Sequence, residues 1–404
     1  MAMPLEGIRV IDWTIWQQGP VCSTLLGDLG AEVIKIEDRE SGDPGRGILR
    51  MSGLDLTDRP NFYFEANNRN KKSLALDVKK PEGRRLIHEL VARSDVFVQN
   101  FRQGVAARLG LDYASLREHN SRLIYASASG YGREGPESGE PSFDHLAQAR
   151  SGIMLSIGEP DHPPLAIAGG VADQMGAIML AYGVLTAIVA RERHGVGQEV
   201  DVSHLGSMMA LQGLSVSSQL MMGWPIPRQA RVRAGNPLWN HYCCADGKWL
   251  ALAMLQPDRY WADFCDAIGR PELAQDERFA ELRIRAQNAE ACVAILDEVF
   301  ASRPRAEWMD ILRRHPGDFI YTVVNSIADL PDDPQVRAND YVVEFDHPAH
   351  GPTQMLGLPV RLSETPGGVR SAAPEFGQHT EEVLLDVLGL DWDAITRLRE
   401  EQVI

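Results

Sequence analysis

Short runs of branched apolar residues and longer stretches with helical spacing take turns through the first third of the chain. Residues 8–12 read as a strand, 21–29 as a helix closed by Gly30, and 31–37 as a second strand with Val33, Ile34 and Ile36 at its centre. Strand, turn, helix and strand in so short a span form a βαβ unit, which predicts a parallel sheet. The pattern repeats with a strand at 74–77, a helix at 81–92 that opens on Pro81, and strands at 94–99 and 123–128. Residues 38–60 are polar, with Gly42, Asp43, Pro44 and Gly45, and read as a loop. A helix at 142–154 and a strand at 198–202 follow, then a helix at 205–222 whose methionines suit a core.

The most apolar stretch follows Gly169 and Gly170 and carries no charge between Asp173 and Arg191. A helix apolar on most faces is expected inside the protein. The glycine turn delivers one carboxylate, Asp173, to the start of that helix. The residues alone allow two roles: Asp caps the first free amides of a helix, or it stands in a cleft as a reactive group. Beyond a linker at 223–227, residues 240–315 read as a smaller α+β unit. Its strands are at 241–244 and 248–254, and its helices at 257–268, 285–299 and 305–315. After residue 329 β-character returns at 342–344 and 360–362, and helices close the chain from 380 onward.

Composition narrows the function. The chain has 404 residues and a net charge of −16, which argues against nucleic-acid binding. No apolar run reaches a bilayer's thickness, because Gly176, Tyr182, Gly183 and Thr186 interrupt 174–190, so no membrane span is expected. The first residues lack a basic region and an apolar core, so no signal peptide is expected either. Five irregularly spaced cysteines suit buried thiols in a reducing cytoplasm and offer no zinc pattern; no metal is expected. A polyanionic small ligand still fits if cations gather locally. Arg69, Lys71 and Lys72, with Lys79 nearby, would suit phosphates. The turn after the first strand, with Gln17 and Gln18, and residues 100–104 after a later strand stand where α/β sheets bind ligands. No G-x-G-x-x-G follows the first strand, so a dinucleotide site is not supported.

Specific motifs go further. Residues 4–12 (Pro-Leu-Glu-Gly-Ile-Arg-Val-Ile-Asp), Gly19-Pro20, residues 27–37, Asn70-Lys71-Lys72-Ser73 and Asn100-Phe101-Arg102-Gln103-Gly104 resemble the family III CoA-transferases, the CaiB/BaiF family. Asp144-His145-Leu146-Ala147-Gln148, Gly158-Glu159-Pro160, Arg233-Ala234-Gly235-Asn236, Asp333-Pro334-Gln335-Val336-Arg337 and Gly377-Gln378-His379-Thr380 carry the resemblance over nearly the whole chain.

The resemblance implies an α/β fold: a Rossmann-like large domain from 1–224 and 331–404, and a smaller α+β domain at 225–330. It implies an interlocked homodimer, with a heteromer containing a paralogue as the second arrangement. It implies an enzyme that moves CoA from an acyl-CoA to a carboxylic acid, with CoA as substrate and no tightly bound cofactor. Asp173 takes the place of the family's nucleophile, forming an acyl anhydride and then an aspartyl-CoA thioester. Gln17 corresponds to the catalytic amide near the reacting thioester, and Gln18 beside it is an expected CoA contact. Leu76, Asp77, Val78, Lys79, Asn100, Phe101, Arg102 and Arg108 correspond to adenine and phosphate contacts. Asp38 replaces an arginine of some relatives, and Arg39 next door is its candidate substitute. Phe143, an expected CoA contact, replaces a tyrosine. The glycine-rich flap of formyl-CoA transferases has no counterpart between 224 and 250, which points away from formate and oxalate, and Trp224, Trp239 and Tyr242 suit a bulkier acyl group. Two other functions share the fold: an acyl-CoA racemase, disfavoured because its histidine is Phe143 here, and a CoA-binding subunit of a heteromeric transferase.

Overall fold

A computed structural model describes residues 2–48, 53, 55–56 and 59–404. Part of the loop expected at 38–60 therefore lies outside the described residues. The chain gathers into two compact units, one made of residues 1–154, 166–225 and 335–404, the other of 155–165 and 226–334. The stretch 155–165 thus groups with the smaller unit, although boundaries at 224 and 330 leave it in the large domain.

The large unit is built on six parallel strands: β1 (Arg9–Trp13), β2 (Glu32–Glu37), β3 (Lys71–Ala75), β4 (Val96–Gln99), β5 (Ile124–Ser129) and β6 (Gln198–Ser203), in the order β3-β2-β1-β4-β5-β6. Alternation along the strands makes two cores. Val10, Val33, Val96 and Ile124 meet Val21 and Leu26 of α1 (Gln18–Asp28) and Leu180 and Val184 of the long helix on one face. Ile11, Ile34, Phe97 and Tyr125 meet Leu86, Ile87 and Leu90 of a helix at Pro81–Val91 on the other. Val383, Leu384, Ile395 and Leu398 complete that second core.

The C-terminal stretch also covers the outer edge of β3, an edge that would otherwise present unpaired backbone groups. The His379 amide donates to the Ser73 carbonyl (3.0 Å), Thr380 Oγ1 accepts from the Ala75 amide (3.1 Å), and the Asp77 amide donates to the Val403 carbonyl (2.8 Å).

The long apolar helix, Val171–His194, starts on Gly169 and Gly170 with φ of +90° and +76° and stops at Gly195 with φ of +74°. Only glycine takes such angles without strain. By length and composition alone this helix is long and apolar enough to cross a membrane despite its interruptions, a test that core helices also pass. Here it packs on α1 and on the sheet, burying Leu180, Ala181, Val184 and Ala187. The Met-rich segment forms two helices, His204–Leu211 and Gly213–Met222, which meet at Gln212. Residues 360–362 form no strand; the late β-structure is an antiparallel pair, Val342–His347 with Gly351–Leu356.

The smaller unit holds an antiparallel sheet of Trp239–Cys243, Trp249–Ala253 and Tyr321–Val324. Its core stacks Tyr242, Phe264, Phe300 and Trp308. Tyr242 is fully buried there and donates to the Pro237 carbonyl at 2.7 Å, so it is a core residue and not an acyl contact.

Candidate active site

The sheet order reverses between β1 and β4, and α/β sheets hold ligands outside the C-terminal ends of the strands at that point. The segment after β4 is fastened to the turn after β1 by Asn100. Its Nδ2 donates to the Ile15 carbonyl (2.7 Å) and its Oδ1 accepts from the Ile15 amide (2.9 Å). Beneath that turn lies a bed of buried charge. Lys71 donates to Asp12 (2.8 Å), to the carbonyls of Pro20 and Asn67, and to Asn68. Lys35 pairs with Asp43 (2.8 Å) and donates to the Thr14 carbonyl. Burial alone would push the Asp12 carboxyl up, but Lys71 and Lys35 outweigh it and hold it below its ordinary range.

This overturns the phosphate role expected of the basic cluster. Lys71 is buried on Asp12, Arg69 is buried on Asp28 (2.7 Å), and Lys72 pairs with Glu32 and Glu382.

Asp173 is the third residue of the helix Val171–His194, with its side chain 18% exposed. It does not cap that helix. The cap comes from Asp144, at the start of a helix at Asp144–Ser151, whose Oδ1 accepts from the amides of Ala172 (2.6 Å) and Asp173 (3.3 Å). Gln148 steadies Asp144 by donating to its Oδ2 (2.7 Å), and it also exchanges hydrogen bonds with the backbone of Ile167. The glycine approach is thereby clamped from one side. From the other, His204 Nε2 lies 2.9 Å from Asp173 Oδ1. Tyr63 also lines this site, and burial together with the charges of Asp173 and Asp43 pushes its phenol up, so it stays a donor.

The cleft beside these groups has a volume of about 1020 Å³. It brings together Gln18, Asn100, Phe101, Arg102, Phe143 and Asp173. Gln18 is buried, and its amide packs so closely on the long helix that a Cβ at Gly176 would lie 2.5 Å from Nε2. Gln17 is not in the cleft lining, but its amide rests on Gly170, where a Cβ would lie 2.6 Å away. Phe101 packs on Trp13 with ring centroids 4.2 Å apart and the planes tilted by 36°. Phe143 is exposed, edge-on to Trp16. Arg102 is exposed and has no acidic partner among the described residues, whereas Arg133, also in the lining, pairs with Glu199 at 3.1 Å.

The other expected contacts lie elsewhere. Leu76 is a core residue, Val78 packs against the same core, and Asp77 and Lys79 form a turn in which the Asp77 carboxylate accepts from the Lys79 amide. Lys79 faces Asp38 at 3.5 Å. Arg39 donates to the Ile404 carbonyl, and Arg108 is an exposed residue of the helix Val105–Leu109.

A carboxylate at the head of a long apolar helix, over the switch point of a parallel sheet, is the frame of an α/β enzyme working on a small molecule. Comparison with known proteins sharpens this. The model of CoA-transferase family III matches residues 5–380. The succinyl-CoA–L-malate CoA-transferase beta subunit of Chloroflexus aurantiacus is 35% identical over 100% of this chain and 98% of its own length. The (R)-2-hydroxy-4-methylpentanoate CoA-transferase of Clostridioides difficile is 32% identical over the full length of both. A CaiB/BaiF family protein from Brucella suis superposes with a TM-score of 0.84 at 29% identity, covering 96% of this chain and 100% of that one. The chain belongs to CoA-transferase family III. It is an enzyme of CoA transfer, acting on CoA thioesters.

Three residues that hold Asp173 escaped the sequence reading. Asp144 and Gln148 stood in a family motif without a role. His204 follows the C-terminal end of β6, and that position was the one signal that could have found it.

Proposed function

We propose that this enzyme passes CoA from an acyl-CoA thioester to a carboxylic acid with Asp173 as nucleophile. The observation that carries the reading is the state of Asp173: seated in the cleft, held through one oxygen, its other oxygen without a partner among the described residues. The free oxygen attacks the thioester carbon and CoA leaves as thiolate, giving an aspartyl acyl anhydride. The thiolate then attacks the aspartyl carbon, the first acid departs, and Asp173 carries CoA as a thioester. The acceptor carboxylate attacks the same carbon, a second anhydride forms, and the thiolate takes the new acyl group.

A carboxylate held against a thioester gains effective concentration equivalent to about 7–11 kcal/mol. Gln17, resting on Gly170 next to the nucleophile, is assigned to the thioester, and Gln18 to the cofactor side. Arg102, free to bind an anion, is assigned to a CoA phosphate, and Phe101 and Asn100 to the walls beside it. The relatives' names favour a dicarboxylic or 2-hydroxy acid as acceptor. A two-base racemase is disfavoured. Its bases must flank an α-carbon, and His204 is bonded directly to Asp173, while His145 is exposed and outside the cleft lining.

The assembly is assigned as a homodimer. The helix Gly213–Met222 buries no residue and exposes Leu214, Leu220, Met221 and Met222, an apolar surface that a second chain would cover. Five free cysteines are in keeping with a reducing compartment. Hydroxylamine trapping tests the chemistry. Incubation with succinyl-CoA, acetyl-CoA or formyl-CoA should leave a hydroxamate on the peptide containing Asp173 with at least one donor. A protein that turns over CoA with no such adduct, or an Asp173→Asn variant that retains full activity, would end the reading.

A further inference from the structure

His204 has an arrangement that nothing in the mechanism above uses. It is 5% exposed, the first residue of its helix, and its Nε2 stands 2.9 Å from Asp173 Oδ1. A carboxylate only accepts, so the hydrogen of this bond is on Nε2. The other ring nitrogen, Nδ1, is buried with no partner among the described residues. A hydrogen there would be a buried donor with nothing to accept it, so the geometry places the ring's hydrogen on Nε2. Asp173 is therefore gripped at one oxygen, Oδ1, by a hydrogen-bond donor.

We propose that His204 assigns different jobs to the two oxygens of Asp173: Oδ2 enters and leaves bonds, while Oδ1 stays and carries the developing charge, stabilised by the Nε2 hydrogen. The proposal rests on the aspartyl route set out above. In that route Oδ2 bonds to the acyl carbon as CoA departs. When the thiolate adds to the Asp173 carbonyl carbon, the C=O electron pair moves onto Oδ1. The pair returns as the carbon–Oδ2 bond breaks, and Oδ2 departs within the product acid. The acceptor carboxylate then adds to the same carbon, again placing charge on Oδ1, and the thiolate leaves. Attack of that thiolate on the acceptor's acyl carbon finally leaves one acceptor oxygen behind as the new Oδ2. Twice per turnover the oxyanion forms on the atom that His204 already holds, with no reorganisation needed. His204 is a positioning residue before the chemistry and an oxyanion donor during it.

Oxygen-18 counts the oxygens. The full-length enzyme is cycled through many turnovers with each of three pairs, succinyl-CoA with fully oxygen-18-labelled succinate, acetyl-CoA with labelled acetate, and formyl-CoA with labelled formate. The peptide containing Asp173 is then weighed. The wild type should gain one heavy oxygen and no more, because Oδ1 never exchanges. His204→Ala frees the carboxylate to flip between turnovers, so both oxygens become heavy, and kcat falls on the order of 10²-fold. His204→Gln returns an amide donor and should restore the single label. Two heavy oxygens in the wild type, or one in His204→Ala, would overturn the proposal; the wild-type count decides even if the alanine variant fails to fold. No label with any pair would instead overturn the aspartyl route itself.

Discussion

In the segment 67–73 three cations stand within four residues, and each faces a carboxylate: Arg69 with Asp28, Lys71 with Asp12, Lys72 with Glu32 and Glu382. In the segment 99–104 there is one cation, Arg102, and no acid among the described residues meets it. The first group sits at the entry of β3, the second beyond the exit of β4. The dense cluster is structural and the lone arginine is the one available to a ligand. Taking an ammonium out of water is costly, so a fold that buries one must supply a carboxylate, and that carboxylate then excludes a phosphate. A cation meant for a substrate has to stand where the fold offers nothing to neutralise it.

Four measurements would break or sharpen this contrast. The largest effect is expected from Lys71→Met, which strands the Asp12 carboxylate in the core and should cost about 3–5 kcal/mol in denaturant unfolding. If stability held and only the KM for acyl-CoA rose, the cluster would be a ligand site after all. Arg102→Ala should do the reverse: unfolding within about 0.5 kcal/mol of wild type, and a KM for acyl-CoA raised roughly tenfold or more, by an amount that shrinks with added salt.

Acid should separate the two groups again. Burial would raise the carboxyls of Glu37 and Asp12, but Arg46 and Lys35 for the first, and Lys71 and Lys35 for the second, hold both below their ordinary values. Groups depressed by folding bind protons more readily when unfolded. Their contribution is present above the ordinary values of 4.5 and 3.8 and is lost as pH falls below them. Melting temperature should therefore drop below about pH 4.5 in the wild type and in Arg102→Ala alike, and a curve altered by Arg102→Ala would contradict the assignment. The smallest effect is expected from Gly176→Ala. Alanine favours the helix by up to about 1 kcal/mol, yet its Cβ would displace the Gln18 amide. Stability unchanged or slightly higher with kcat several-fold lower would mark Gln18 as part of the site; an unchanged kcat would remove it.

Much of the frame was readable from the chain because it is local. Residues 8–37 carry their own strand, turn, helix and strand, and Gly169 and Gly170 announce a sharp entry to an apolar helix. What partners a charge is not local. Lys71 meets Asp12 across 59 residues, and Asp173 meets His204 across 31. The same holds for the helix cap: Asp173 has the right type and place, but Asp144, 28 residues before Ala172, takes the amides. Leu76 has the neighbours of a ligand-binding turn and the burial of a core residue, and only the packing of the sheet decides between them.

The late residues that cover β3 also impose an order on synthesis. A ribosome delivers β3 about 300 residues before the segment around Thr380 to Val403, so the outer edge of β3 waits open while the chain between them is made. At roughly 5–20 residues per second that wait lasts on the order of tens of seconds. During it a nascent large unit offers a bare strand edge to any other chain nearby, the kind of surface on which misassembly starts.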